Sequence, residues 1–165
     1  MNAVFYIAAV VAVLATVMVI TRANVVHALL YLIVSLLAIA LIFFALGAPF
    51  VAALEVIIYA GAIMVLFLFA IMTLNLGPHA AAQESQWMRP SSWVGPSLLT
   101  LVLLGELLYV FASGAGALAG STAAAVIDPP VVGAALFGPY LLAVELASLL
   151  LLAGMVGAYY LGRRE

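Results

Sequence analysis

The chain has 165 residues, of which 70% are hydrophobic and 6% charged, with a net charge of −2 and a mean hydropathy of +1.42. Soluble domains run near half apolar and a quarter charged, and a domain of this size cannot hide so much apolar surface from water, so a bilayer is the solvent this composition fits. Four arginines and no lysine exclude a basic nucleic-acid footprint; the lack of cysteine excludes disulfides, cysteine nucleophiles and thiolate-bound iron–sulfur clusters.

The first predicted helix covers about 2–21. Met1-Asn2-Ala3-Val4 carries no basic n-region, and the apolar run ends in Thr21-Arg22-Ala23-Asn24 with no small-x-small cleavage site, so it reads as a retained helix rather than a signal peptide. The second covers about 25–46 and is ended by Gly47-Ala48-Pro49; the third covers about 50–75 and is closed by Leu76-Gly77-Pro78. A polar stretch, Pro78 to Ser92, leads to the fourth helix over about 93–112. The stretch from Ser113 to Gly133 is rich in Ala and Gly and turns at Asp128-Pro129-Pro130, which predicts a loosely ordered connection. The fifth helix covers about 137–161, before Gly162-Arg163-Arg164. Each run has the roughly 20 residues needed to cross about 30 Å of hydrocarbon, and none alternates as a barrel strand does. The expectation is an all-α, polytopic membrane protein with five transmembrane helices, forming a single transmembrane domain over 1–165 without internal repeat.

Five spans put the termini on opposite sides. Arg22, Arg89, Arg163 and Arg164 then fall on one side, which the positive-inside rule makes cytoplasmic, leaving the N-terminus outside and the C-terminus cytoplasmic. Trp87 and Trp93 suit an interface where the fourth helix enters.

Three carboxylates, Glu55, Glu106 and Glu145, fall inside spans, where ionisable residues are the first candidates for function. At 1.5 Å per residue they lie roughly 8, 9 and 12 Å from the outer ends of their helices, a shared depth. Burial disfavours the charged form, and no basic residue lies within any span to pair with them. A carboxyl that gains and loses a proton is what a proton path needs; the plainer reading, strongest for Glu106, is a neutral acid bonded to a neighbour. His27 reads as an interfacial cap, and His27 and His79 make no facing pair for a haem. No metal-ligand spacing, phosphate-cradling glycine loop or nucleophile with a positioned base appears, so no catalytic, cofactor-binding or metal residue is assigned.

In the third helix, Glu55 and Tyr59 are four apart and share a face. Gly61, flanked by Ala60 and Ala62, points roughly the other way. Small residues there admit a neighbouring helix closely, and a mid-span glycine also lowers the cost of a π-bulge.

The run Glu55-x-x-x-Tyr59-Ala60-Gly61-Ala62-Ile63-Met64-Val65-Leu66-Phe67 resembles the subunit J family of bacterial respiratory complex I, whose mitochondrial counterpart is NADH dehydrogenase subunit 6. Asn24 to Leu32, Met72 to Gly77 and Leu136 to Ser148 are similar to the same family, so the resemblance covers nearly the whole chain. It implies a core membrane-arm subunit of a proton-translocating NADH:quinone oxidoreductase, in the bacterial inner membrane, with no redox centre and no catalysis by the isolated chain. The complex's NADH, FMN, iron–sulfur clusters and quinone would belong to other subunits. Partners would be the other membrane-arm subunits of the complex, namely the one that forms the quinone site, the small ones and the antiporter-like ones, together with membrane lipid and no nucleic acid. The resemblance also implies a π-bulge around Tyr59 to Val65, able to straighten and thereby open or close a water path. Glu55, Tyr59, Gly61, Met64, Val65 and Glu145 match family positions, whereas Glu106 joins the candidate proton path on depth alone. A subunit of a cation/proton antiporter complex and a purely structural membrane subunit are the alternatives.

Overall fold

The computed structural model of the chain describes residues 3–74, 90–112 and 126–163. The polar loop 78–89, most of the Ala/Gly stretch and two of the four arginines behind the orientation reading, Arg89 and Arg164, lie outside the described residues. Everything described is helix, turn or short connection. The elements are α1 (Ala3–Thr21), α2 (Val25–Ala45), α3 (Pro49–Leu54), a π-helical segment (Glu55–Ile63), α4 (Met64–Leu74), α5 (Pro90–Ala112), α6 (Pro129–Leu136) and α7 (Leu141–Gly162). Among the described residues, five stretches are long and apolar enough to cross a membrane: Ala3–Thr21, Val25–Ala45, Pro49–Thr73, Trp93–Ala112 and Leu141–Gly162. The third is continuous through α3, the π segment and α4. Two compact units, Met1–Val126 and Ile127–Glu165, divide the chain.

In the first unit, local chemistry fixes the helix ends. Asn24 stays extended and its Oδ1 accepts from the N–H groups of Val26 (2.9 Å) and His27 (3.3 Å), satisfying two free donors of α2's first turn. The cap is therefore Asn24, not His27, and His27 itself is buried. At its other end α2 closes in a Schellman motif: Gly47 takes φ +83°, the Gly47 N–H donates to the Phe44 carbonyl and the Ala48 N–H to that of Phe43. Pro49 then occupies the first turn of α3, where its missing N–H costs nothing. The chain reverses within three residues.

α1 lies along α2 through small side chains. Ala12, Ala15 and Ala38 form one buried cluster with Val11, Val34 and Leu103 of α5, as helices in lipid pack when small residues let backbones approach. The Thr16 and Ser35 hydroxyls lie 2.9 Å apart across this contact, and the Ala12 carbonyl accepts from the pair. Such a polar contact between membrane helices contributes about 0.6 kcal/mol on average. α5 closes on α2 where Gly95 meets Tyr31: a Cβ on Gly95 would overlap the tyrosine hydroxyl. Tyr31 is 3% exposed, with the Arg22 guanidinium 5.5 Å from its ring centroid.

The second unit departs from expectation at its start. The Asp128-Pro129-Pro130 turn opens a helix: Asp128 is extended, Pro129 sits in the first turn, and α6 follows through Leu136, because a proline presets the φ a first helical turn needs. α7 begins at Leu141 rather than at 137, since Phe137 to Tyr140 form turns. A Cβ on Gly138 would approach the Ala134 carbonyl to 2.7 Å, so this tight connection requires glycine.

Candidate functional site

The interruption of the third span is defined by its hydrogen bonds. The Met64 N–H reaches the carbonyl of Tyr59, five residues back, as well as that of Gly61; the five-residue step is π geometry. The segment begins at Glu55 and ends at Ile63, so it starts earlier than the Tyr59 to Val65 stretch implied by the family resemblance. Widening the turn brings residue 61 against the carbonyl five back: a Cβ on Gly61 would stand 3.1 Å from the Val56 oxygen, tighter than ordinary Cβ contacts. Glycine relieves that contact in the wide turn. Just past the segment, Met64 is 5% exposed and the adjacent Val65 is 62% exposed, as expected of neighbours roughly 100° apart around an α-helix.

Glu55 opens the π segment, half-buried, and Tyr59 is half-exposed. The third span as a whole is the least covered of the first unit, with 6% of its window buried against 33% for the second span. Glu106 differs. It is 7% exposed, on the face of α5 that also buries Leu103 and Val110, and neither carboxyl oxygen has a hydrogen-bond partner. An ionised carboxylate left unpaired in such a place costs several kcal/mol, whereas an unpartnered neutral polar group costs about 1–3 kcal/mol. Glu145 belongs to the second unit, near the start of α7, and is exposed there; the Ser148 hydroxyl donates to its backbone carbonyl at 2.7 Å.

Glu55 lies six residues after Pro49, and Glu106 six residues before Ala112. A cavity of about 430 Å³ sits between α2, the third span and α5, lined by Val56 beside Glu55 and by Leu103 and Leu107 beside Glu106. The two carboxylates therefore belong to the same end of the first unit. Among the described residues the cavity wall carries one polar side chain, Thr100.

A polar stripe on α2 escapes a reading that follows hydropathy alone. His27, Tyr31 and Ser35, each 9% exposed or less, recur every four residues and so share one face. That spacing is the signal that locates them. Among the described residues no group of three or more His, Cys, Asp or Glu side chains is placed to hold a metal ion.

A multi-pass membrane protein, with acids inside its spans and a wide-turn break in one of them, is what these features define. A sequence model of NADH-ubiquinone/plastoquinone oxidoreductase chain 6 matches residues 15–161. The NADH-quinone oxidoreductase subunit J of Pseudomonas aeruginosa is 63% identical over 164 residues, covering 98% of this chain and 96% of that protein. The subunit J of Escherichia coli K12 is 53% identical over 165 residues, with coverages of 98% and 86%. That of Rhodobacter capsulatus is 39% identical over 167 residues, with coverages of 98% and 81%. The chain belongs to the NADH-ubiquinone/plastoquinone oxidoreductase chain 6 family, and with its five spans and bacterial relatives it is a multi-pass protein of the bacterial inner membrane.

Proposed function

We propose that this chain is a membrane-arm subunit of a proton-translocating NADH:quinone oxidoreductase, binding no cofactor itself, in which the third span couples quinone reduction to proton movement. The observation that carries this reading is the π segment with Glu55 at its first position and, within it, Gly61, where a Cβ would press on the Val56 oxygen. A wide turn stores residues that a regular helix does not need. Releasing one residue of register turns the following helix by roughly 100° and moves it by about 1.5 Å. Met64 and Ile63 are one such step apart, so straightening would bring Ile63 to the packed position that Met64 now fills and carry Met64 out of it. Wetting or drying the surroundings of Glu55 and Tyr59 through that rotation would open or close a proton route, with Glu145 as a further carboxylate on it.

Glu55 and Glu145 are incompletely covered by their own units, and an acid facing lipid near a span centre costs about 2.5–3.5 kcal/mol. Neighbouring subunits of the membrane arm, namely the one that forms the quinone site, the small ones and the antiporter-like ones, are the polar company this reading requires. The N-terminus would face outward and the C-terminus the cytoplasm.

Exchanging Glu55 for glutamine keeps the shape and removes the exchangeable acid. In membrane vesicles carrying the assembled complex, Glu55→Gln is expected to lower NADH-driven proton uptake and quinone reduction at least about fivefold, the low end of coupling between linked sites. NADH oxidation by a water-soluble acceptor should stay at the unmodified level. Undiminished proton uptake in that variant would remove Glu55 from the route.

A further inference from the structure

Glu106 belongs to the same end of the first unit as Glu55, but its surroundings are different in kind. This chain alone buries it to 7% exposure, on the α5 face that also buries Leu103 and Val110, so little of it is left for a docking subunit to touch. Helices α1 and α2 contain no lysine, arginine, aspartate or glutamate. The titratable side chains on the helices packed against α5 are Tyr6 on α1 and His27 and Tyr31 on α2, with Tyr109 on α5 itself. None of them bonds either oxygen of Glu106.

A carboxyl that passes protons needs a hydrogen-bonded neighbour to receive them. Thr16 and Ser35 in this seam bond each other and the Ala12 carbonyl, and the Tyr31 ring lies beneath Arg22. Leu103, one turn before Glu106, and Ala38, three residues beyond Ser35, belong to one apolar cluster with Ala12 and Val34.

We infer that Glu106 is a closed proton-binding site, a neutral carboxylic acid sealed where α1, α2 and α5 meet, which keeps its proton through turnover and stands off any route served by the third span. Its ligand is a single proton acquired before the helices close. The inference does not depend on the switch at the π segment; Glu55→Gln reads that separately.

The test uses the intact complex and infrared spectroscopy. Subtracting the spectrum of Glu106→Gln from that of the unmodified complex should reveal the loss of one protonated-carboxyl C=O band, high in frequency because nothing bonds to it. The band should shift only slowly in D₂O. It should be absent from the difference between the oxidised and NADH-reduced complex. A second variant, Glu106→Leu, should assemble normally, with protons moved per NADH unchanged. Loss of carboxylate bands in place of the acid band, or appearance of the acid band in the redox difference, overturns the inference. So does lowered proton movement in an assembled Glu106→Leu complex. Failure of both variants to assemble also overturns it, because a neutral acid without partners has no bond whose removal would prevent folding.

Discussion

A Gly61→Val complex should assemble and oxidise NADH with a water-soluble acceptor normally, yet lose at least about four-fifths of its quinone-coupled proton uptake, since a clash of about 1–3 kcal/mol shifts a two-state balance by about 5- to 150-fold. The first atom of any side chain at position 61 meets the Val56 carbonyl at 3.1 Å in the wide turn. Valine adds two methyl groups to that atom and is stiff at χ1. The clash belongs to the π form, where the carbonyl five residues back swings close, so the substitution favours the straightened helix. A switch biased to one side stops working whichever side it is. The same membranes assayed for complex content and for proton uptake per NADH separate this outcome from misassembly. Normal proton uptake in Gly61→Val would show that the wide turn is a static feature.

The second large effect concerns assembly. Replacing Gly95 with leucine should nearly abolish accumulation of the complex in membranes, because the new side chain takes the space of the Tyr31 hydroxyl. Tyr31 has no room to yield: it is buried at 3% exposure, with Arg22 over its ring. Overpacking in a well-filled core costs typically 1–3 kcal/mol and occasionally more, and here it pushes α5 away from α2 where Gly95 faces Tyr31. The double variant Gly95→Leu/Tyr31→Ala exchanges volume across the same contact and should restore a substantial part of the assembled complex. Native gel electrophoresis with an in-gel NADH oxidation stain reads both. Equal loss in the single and double variants would mean that position 95 fails for a reason other than Tyr31.

The five spans are legible in the sequence because hydropathy acts over twenty residues, and lipid rewards it wherever the helix sits. Arg22, Gly47 and Pro49 mark boundaries for local reasons, and the structure keeps them. Pro129 suggests a turn and instead starts α6, since one proline signals both a turn and a first helical turn. The third-span acid Glu55 and Gly61 stand out through a motif. Which carbonyl Gly61 faces is not legible, because it depends on a five-residue hydrogen bond that composition does not encode. Glu106 shows the same limit. Its depth can be counted from a helix end, but its burial to 7% exposure depends on how α5 packs in the folded chain. The α2 stripe of His27, Tyr31 and Ser35 is present as a four-residue spacing but becomes meaningful only when α1 and α5 cover it.

Whether the third span moves is tested most directly by imaging the assembled complex at rest and during steady NADH turnover at side-chain detail. The expected result is two populations. In one, the Met64 N–H bonds the carbonyl five residues back and Met64 is packed inward, as here. In the other, regular four-residue bonds run through Glu55 to Ile63, and Ile63 occupies the packed position. One unchanged wide turn in every particle class, at rest and in turnover alike, would contradict the account.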